Sequence, residues 1–222
     1  MNNIYIDESL YGDSISLHDI ILFGGMKHVL HIKSYPDPKV PPFEVHSDRS
    51  YVSKEENSVI IDLTDAEEEY DSNGYFSFDI SIVCENNFAE SKKIHVYRHK
   101  DLSYFEGEYR CQDLPGKSVR ISSGGTVTLD LDDAIEGVEP FSGRFEFNPY
   151  SFKFVPRESF SSQTVDDVEY SLYAYISYDP KEDALMVAAT LSAYDGFDND
   201  QSYLIGFGDE DGPFEFDSFR KI

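Results

Sequence analysis

Apolar and polar residues alternate along most of this chain, and this pattern predicts β-strands rather than helices. Between Tyr75 and Cys84 every second residue is apolar, and the intervening positions are mostly Ser and Asp. The same alternation occurs at Ser58–Leu63, and the acidic segment between the two stretches ends in Asn73-Gly74. A period of two is that of a half-buried strand, and an Asn-Gly pair favours a tight turn.

Eleven further stretches with this pattern complete the predicted order of strands. They are His28–Lys33, Lys92–His99, Tyr104–Cys111, Ser118–Ser122, Thr126–Asp132, Gly143–Asn148, Ser151–Val155, Glu169–Tyr178, Ala184–Tyr194 and the C-terminal pair Ser202–Phe207 and Pro213–Phe219. Short helices are considered only at Asp13–Phe23 and Asp65–Tyr70, where helical periodicity is not sustained.

A polar link at Lys100–Ser103 predicts two modules. Residues 1–100 are expected to form an antiparallel, sandwich-like sheet. Residues 101–222 read as an antiparallel meander that closes into a small barrel or a curved sheet, because closure removes exposed strand edges. One continuous all-β domain is the alternative.

The strands Glu169–Tyr178 and Ala184–Tyr194 are the best-formed pair, joined by a turn that contains Pro180. One face of this pair is aliphatic. The other carries Tyr173, Tyr175 and Tyr194 among Ser, Thr and small residues. Such a mixture is typical of adaptable contact surfaces, although it also fits a half-buried second face.

Acidic residues outnumber basic ones along the whole chain. Asp and Glu total 43 against 18 Lys and Arg, which gives a formal net charge of −25. This charge repels phosphates, so direct binding to nucleic acid or to an anionic membrane is not expected. The acidity serves either solubility or the recognition of a basic partner.

The compartment is predicted from the two cysteines and from apolar run lengths. Cys84 and Cys111 stand alone, and no apolar run approaches the roughly 20 residues needed to cross a bilayer. The first seven residues lack the basic and apolar regions of a secretion signal. A cytoplasmic protein with reduced thiols is therefore expected.

No catalytic or cofactor motif stands out. All six histidines precede residue 100, so the second module cannot hold a Ser-His-Asp or Cys-His site of its own. His28 and His31 would face opposite sides of one strand, which prevents joint metal coordination. The acidic loops lack the spacing of a calcium-binding EF-hand loop and are interpreted as solvated turns, with an irregular calcium site as the alternative. No catalytic residue, metal or cofactor is predicted.

The sequence therefore favours a non-enzymatic binding protein that engages a basic protein. An inhibitor, an immunity protein for a cationic toxin, or a mimic of nucleic acid charge would fit. The alternatives are a small-ligand or carbohydrate-binding barrel with the tyrosine-rich face as its lumen, and an assembly protein of a phage or secretion system. The residues predicted to bind the partner are Tyr173, Tyr175, Tyr194, Asp195, Asp198, Asp200, Asp209, Glu210 and Asp211.

Overall fold

The structure is all-β, as the alternation of apolar and polar residues predicts, with 60% of the described residues in strands and 3% helical. The computed structural model describes residues 3–7, 9–11, 16, 19–66, 70–72, 74–84, 89–114, 116–131, 136–194, 201–203 and 216–222.

The first eight strands precede residue 100. They are β1 (Asn3–Ile6), β2 (Asp19–Phe23), β3 (Lys27–Tyr35), β4 (Phe43–His46), β5 (Val52–Glu55), β6 (Ser58–Asp62), β7 (Tyr75–Cys84) and β8 (Ala89–Tyr97).

Ten strands follow. They are β9 (Gly107–Arg110), β10 (Ser118–Ser122), β11 (Thr126–Asp130), β12 (Phe141–Asn148), β13 (Lys153–Glu158), β14 (Gln163–Val165), β15 (Val168–Asp179), β16 (Ala184–Tyr194), β17 (Gln201–Tyr203) and β18 (Asp217–Lys221).

The chain divides into two compact units. The first contains residues 1–100 with 149–151, and the second contains residues 101–148 with 152–222. Independent folding of modules 1–100 and 101–222 stays a prediction.

The first unit contains two four-stranded sheets, in the orders β1-β3-β6-β5 and β2-β8-β7-β4. Leu30 and Ile61 of one sheet and Ile80 and Ile94 of the other have no exposed surface and belong to one hydrophobic cluster. The predicted sandwich-like arrangement is therefore confirmed. Alternation decides which side chains enter the core: His28 is buried, whereas His31, three residues later, is exposed.

The helix considered at Asp13–Phe23 is wrong for residues 19–23, because Asp19–Phe23 is strand β2. This strand pairs in parallel with β8, with Ile20 opposite Ile94 and Leu22 opposite Val96. Four apolar residues within five gave no clear period, and pairing with a distant strand decided the conformation. Of the second considered helix, residues 67–69 lie outside the described residues.

The second unit contains a closed eight-stranded barrel. Its strands β9, β10, β11, β12, β13, β15, β16 and β18 each pair antiparallel with the next in the chain. Strand β18 then pairs with β9, with Arg220 opposite Arg110, and this closes the ring. The short strands β14 and β17 extend the sheet beside β15 and β16. The predicted meander that closes into a small barrel is thus confirmed.

One end of the barrel is plugged by a 3-10 helix at Leu102–Phe105, where the sequence had predicted the start of a strand. The Phe105 ring is fully buried, with its centroid 4.5 Å from that of Phe147, 5.2 Å from Phe154 and 5.0 Å from Tyr178. These rings show that the inward-facing side chains fill this end of the barrel. Eight strands enclose a space that side chains can fill, so the plug completes a packed core.

A carboxylate fastens the plug to the barrel wall. The hydroxyl groups of Tyr104 and Tyr178 donate to Asp183 Oδ1 at 2.7 and 2.6 Å. Burial raises the pKa of Tyr104 to about 12, and the hydrogen bond to Asp183 contributes to this shift as the second-largest cause. Both phenols are therefore neutral donors at physiological pH.

Candidate binding face on the barrel

The tyrosine-rich face predicted from sequence lies on the outer wall of the barrel, across β15 and β16. The two strands are in register over their full length, with Ile176 opposite Val187 and Leu172 opposite Leu191 on the inner side. Tyr173 lies opposite Thr190 on the outer side. The outward residues, named here the tyrosine face, are Glu169, Ser171, Tyr173, Tyr175, Ser177, Met186, Ala188, Thr190, Ser192 and Tyr194.

This placement corrects the alternative in which the tyrosines line a lumen. Leu172 and Ile176 on the opposite side of β15 are 4% and 1% exposed, whereas Tyr173 is 67% exposed. Successive side chains of a strand point to opposite sides of a sheet, so Leu172 and Ile176 point into the barrel, whereas Tyr173 and Tyr175 face outwards.

Large aromatic side chains are exposed on and beside this face. Tyr194 is 49% exposed and Phe216, which precedes β18, is 42% exposed. The residues of β16 that lie opposite Tyr173 and Tyr175 are small, namely Thr190 and Ala188. Tyrosine next to small residues provides contact area with few rotatable bonds to order on binding, which suits recognition of another molecule.

Tyr175 is already engaged by its neighbours. Its ring centroid is 5.2 Å from that of Phe216, and Lys153 Nζ lies 5.1 Å from the Tyr175 ring centroid. Lys153 comes from β13, where it pairs with Ser177. The face therefore includes an aromatic pair with a cation held over one of its rings.

Carboxylates border the face at the end where Tyr194 lies. Glu169 is exposed and is the register partner of Tyr194. The turn between β14 and β15 adds the exposed Asp166 and Asp167, whose φ angles are +49° and +64°. Asp is among the few residues that tolerate this left-handed conformation, so the turn is built from acidic residues at little conformational cost.

Several arginines of the barrel wall are paired with acids of the same wall. Arg110 and Arg120 both bind Glu108, at 2.8 and 3.1 Å, and these hydrogen bonds lower the pKa of that carboxyl group. Arg220 pairs with Glu182 at 2.8 Å. Residues 101–222 contain 25 acids and 9 bases, so this pairing leaves a large surplus of carboxylates.

The structure brings together only part of the predicted set. Tyr173, Tyr175 and Tyr194 share the tyrosine face, as predicted. The six predicted acids lie outside the described residues. They are Asp195, Asp198, Asp200, Asp209, Glu210 and Asp211.

Sequence reasoning missed five members of the site, namely Lys153, Asp166, Asp167, Glu169 and Phe216. Alternation within Glu169–Tyr178 could have placed Glu169 on the tyrosine face, and the Asp166-Asp167 pair could have been recognised as an acidic hairpin turn. Lys153 could not have been found, because its place over Tyr175 depends on the pairing of β13 with β15.

No cluster able to hold a metal ion occurs among the described residues. His95 has a partner for each ring nitrogen: Tyr75 Oη lies 2.5 Å from Nδ1, and Asp19 Oδ1 lies 3.1 Å from Nε2. This group is a satisfied polar network on the outer side of β7 and β8. No described helix is long and apolar enough to cross a membrane. No protein-family model and no curated sequence matches the chain, so function is inferred from the chemistry of the tyrosine face.

Proposed function

We propose that this protein is a non-enzymatic, acidic binding protein that engages a basic protein partner through the tyrosine face. Inhibitors, immunity proteins and mimics of nucleic acid charge belong to this class. The observation that supports the proposal is the exposure of Tyr173 and Tyr194 beside the carboxylates of Glu169, Asp166 and Asp167. A cytoplasmic location is part of the proposal, in keeping with Cys84 and Cys111, which are both free and buried.

The two chemical components of the face have different physical roles. A net charge of −25 accelerates the encounter with a cationic protein and disfavours acidic ones. Aromatic anchors act after the encounter, because burying a tyrosine in the partner's surface slows dissociation. Charge alone would collect basic proteins without selection, so the tyrosines carry the specificity.

The test is affinity capture from an extract of the native host, followed by kinetics with each purified partner. We expect the pair Tyr173→Ala and Tyr194→Ala to raise the dissociation rate by about tenfold or more, which corresponds to an anchor worth at least about 1.4 kcal/mol. The triple variant Asp166→Asn, Asp167→Asn and Glu169→Gln should instead slow association, more at 50 mM salt than at 300 mM.

Matched controls come from the first unit. Tyr5 is 45% exposed, so Tyr5→Ala removes a comparable tyrosine outside the face. Glu44→Gln, Asp48→Asn and Glu56→Gln remove the same number of exposed acids. If these controls weaken capture as much as the face variants do, affinity follows net charge alone and the proposal fails.

A further inference from the structure

A lysine side chain of the protein itself lies over one ring of the tyrosine face, which indicates that the face can recognise cationic groups. Lys153 Nζ lies 5.1 Å from the Tyr175 ring centroid, within the range of a cation–π interaction. This cation comes from the protein itself, from strand β13.

A second exposed ring lies beside a carboxylate at the other end of the face. Tyr194 and Glu169 are register partners on the outer side of β16 and β15, so their Cβ atoms are about 4.5–5.5 Å apart. Tyr194 is 49% exposed, and no ion pair to the Glu169 carboxylate is present within the described part of the chain. An aromatic ring and a carboxylate thus stand side by side on an exposed wall.

We propose that this pair binds an arginine side chain of the basic partner, with the guanidinium stacked on the Tyr194 ring and hydrogen-bonded to the Glu169 carboxylate. The inference rests on the proposed function and names the group that the face recognises. Tyr173 offers a second exposed ring on the neighbouring strand for a further cationic side chain.

Arginine fits this pair better than lysine for two reasons. The guanidinium is planar and weakly hydrated, so it can stack on a ring while its N–H groups reach a carboxylate. The lysine ammonium is strongly hydrated and acts as a point charge. A second copy of this chain is an unsuitable occupant, since each copy carries a net charge of −25.

The probes are two fluorescein-labelled peptides of equal charge, hexa-arginine and hexa-lysine, titrated with the full-length protein and followed by fluorescence polarisation at 150 mM salt. We expect hexa-arginine to bind the unmodified protein about fivefold more tightly than hexa-lysine. The ratio of the two dissociation constants should approach one in Tyr194→Leu and in Glu169→Gln. It should be retained in Tyr194→Phe, which keeps the aromatic ring.

Two control variants separate this site from general acidity. Tyr5→Leu and Glu44→Gln change an exposed tyrosine and an exposed acid of the first unit, and both should keep the preference for hexa-arginine. Far-ultraviolet circular dichroism checks that each variant retains the β structure.

Equal affinity of the unmodified protein for the two peptides would overturn the arginine site, as would a preference that survives both Tyr194→Leu and Glu169→Gln. The proposed function has a separate readout, the dissociation rate of a captured host partner from the Tyr173→Ala and Tyr194→Ala protein. If that rate rises while the peptides bind equally, only the arginine site fails. If it is unchanged as well, the proposed function fails with it.

Discussion

At the scale of single residues, His28 is a fully buried imidazole on β3. The side chain has no exposed surface, and Nε2 lies 2.7 Å from the carbonyl oxygen of Phe23. Within the described part of the chain, Nδ1 is buried and has no hydrogen-bond partner. Burial lowers the pKa of His28 from 6.5 to about 4, because the charged ring would lose its hydration.

This histidine should make folding stability sensitive to acid. Above pH 6.5 the ring is neutral in both the folded and the unfolded chain and contributes no pH dependence. Between pH 6.5 and about pH 4 the unfolded chain binds the proton and the folded chain does not. The free energy of unfolding therefore decreases as the pH is lowered through this range. On lowering the pH from above 6.5 to about 4, the free energy of unfolding should fall by about 3 kcal/mol more in the unmodified protein than in a His28→Gln variant. Urea denaturation at a series of pH values measures this difference.

The control is His46→Gln, since the side chain of His46 is 60% exposed. That variant should follow the unmodified protein at every pH. If the free energies of unfolding of His28→Gln and of the unmodified protein change in parallel with pH, the buried imidazole does not destabilise the folded protein in acid, and the prediction is wrong.

At the scale of elements, the β10–β11 turn depends on two adjacent glycines with different constraints. Gly124 and Gly125 have φ angles of +77° and +83°, a region that favours glycine. A Cβ added at Gly124 would have no atom within 4 Å, but at Gly125 it would lie 2.2 Å from the carbonyl oxygen of Phe145. The Gly125 carbonyl also accepts a 2.8 Å hydrogen bond from the Phe145 backbone N–H.

These neighbours give a matched pair of variants. Gly124→Ala should cost about 1–2 kcal/mol, the cost of left-handed backbone alone. Gly125→Ala carries the same cost and must also displace β12, so its loss of stability should be greater by at least about 2 kcal/mol. Equal losses in urea denaturation would mean that the close approach of the turn to β12 is unimportant for stability.

Elements with clean alternation were predicted almost to the residue. Strands Tyr75–Cys84, Ser118–Ser122 and Ala184–Tyr194 have the predicted limits. Prediction was wrong where local pattern and tertiary pairing conflict. Tyr104 and Phe105 have strand-like side chains, yet they belong to a 3-10 helix because the end of the barrel requires an aromatic plug.

At the scale of the whole molecule, two modules predict a definite pattern of limited proteolysis. Lys39 lies between β3 and β4 in a proline-rich connection, and Lys100 lies between β8 and the 3-10 helix. Neither site belongs to a strand, so trypsin should cut first after these residues and leave a stable fragment that begins at Asp101. Mass spectrometry of a time course identifies the fragments.

An inactive form of trypsin provides the control for spontaneous breakdown. Intact chain that persists until all fragments appear together would indicate one cooperative domain instead of two modules.

The sequence by itself determined the all-β class, the strand pair that bears the tyrosines and the acidity of the chain. Each of these depends on side-chain alternation or on composition, which the local sequence contains in full. Tertiary structure alone decided that β18 closes the barrel on β9, that β2 lies parallel to β8, and that Lys153 sits over Tyr175. These contacts join residues far apart in the chain, where pairing is selected by the burial of whole faces. Alternation along the sequence was therefore enough to assign the side chains of β15 to two faces. Only closure of the barrel decided that the face with Tyr173 and Tyr175 is the outer one.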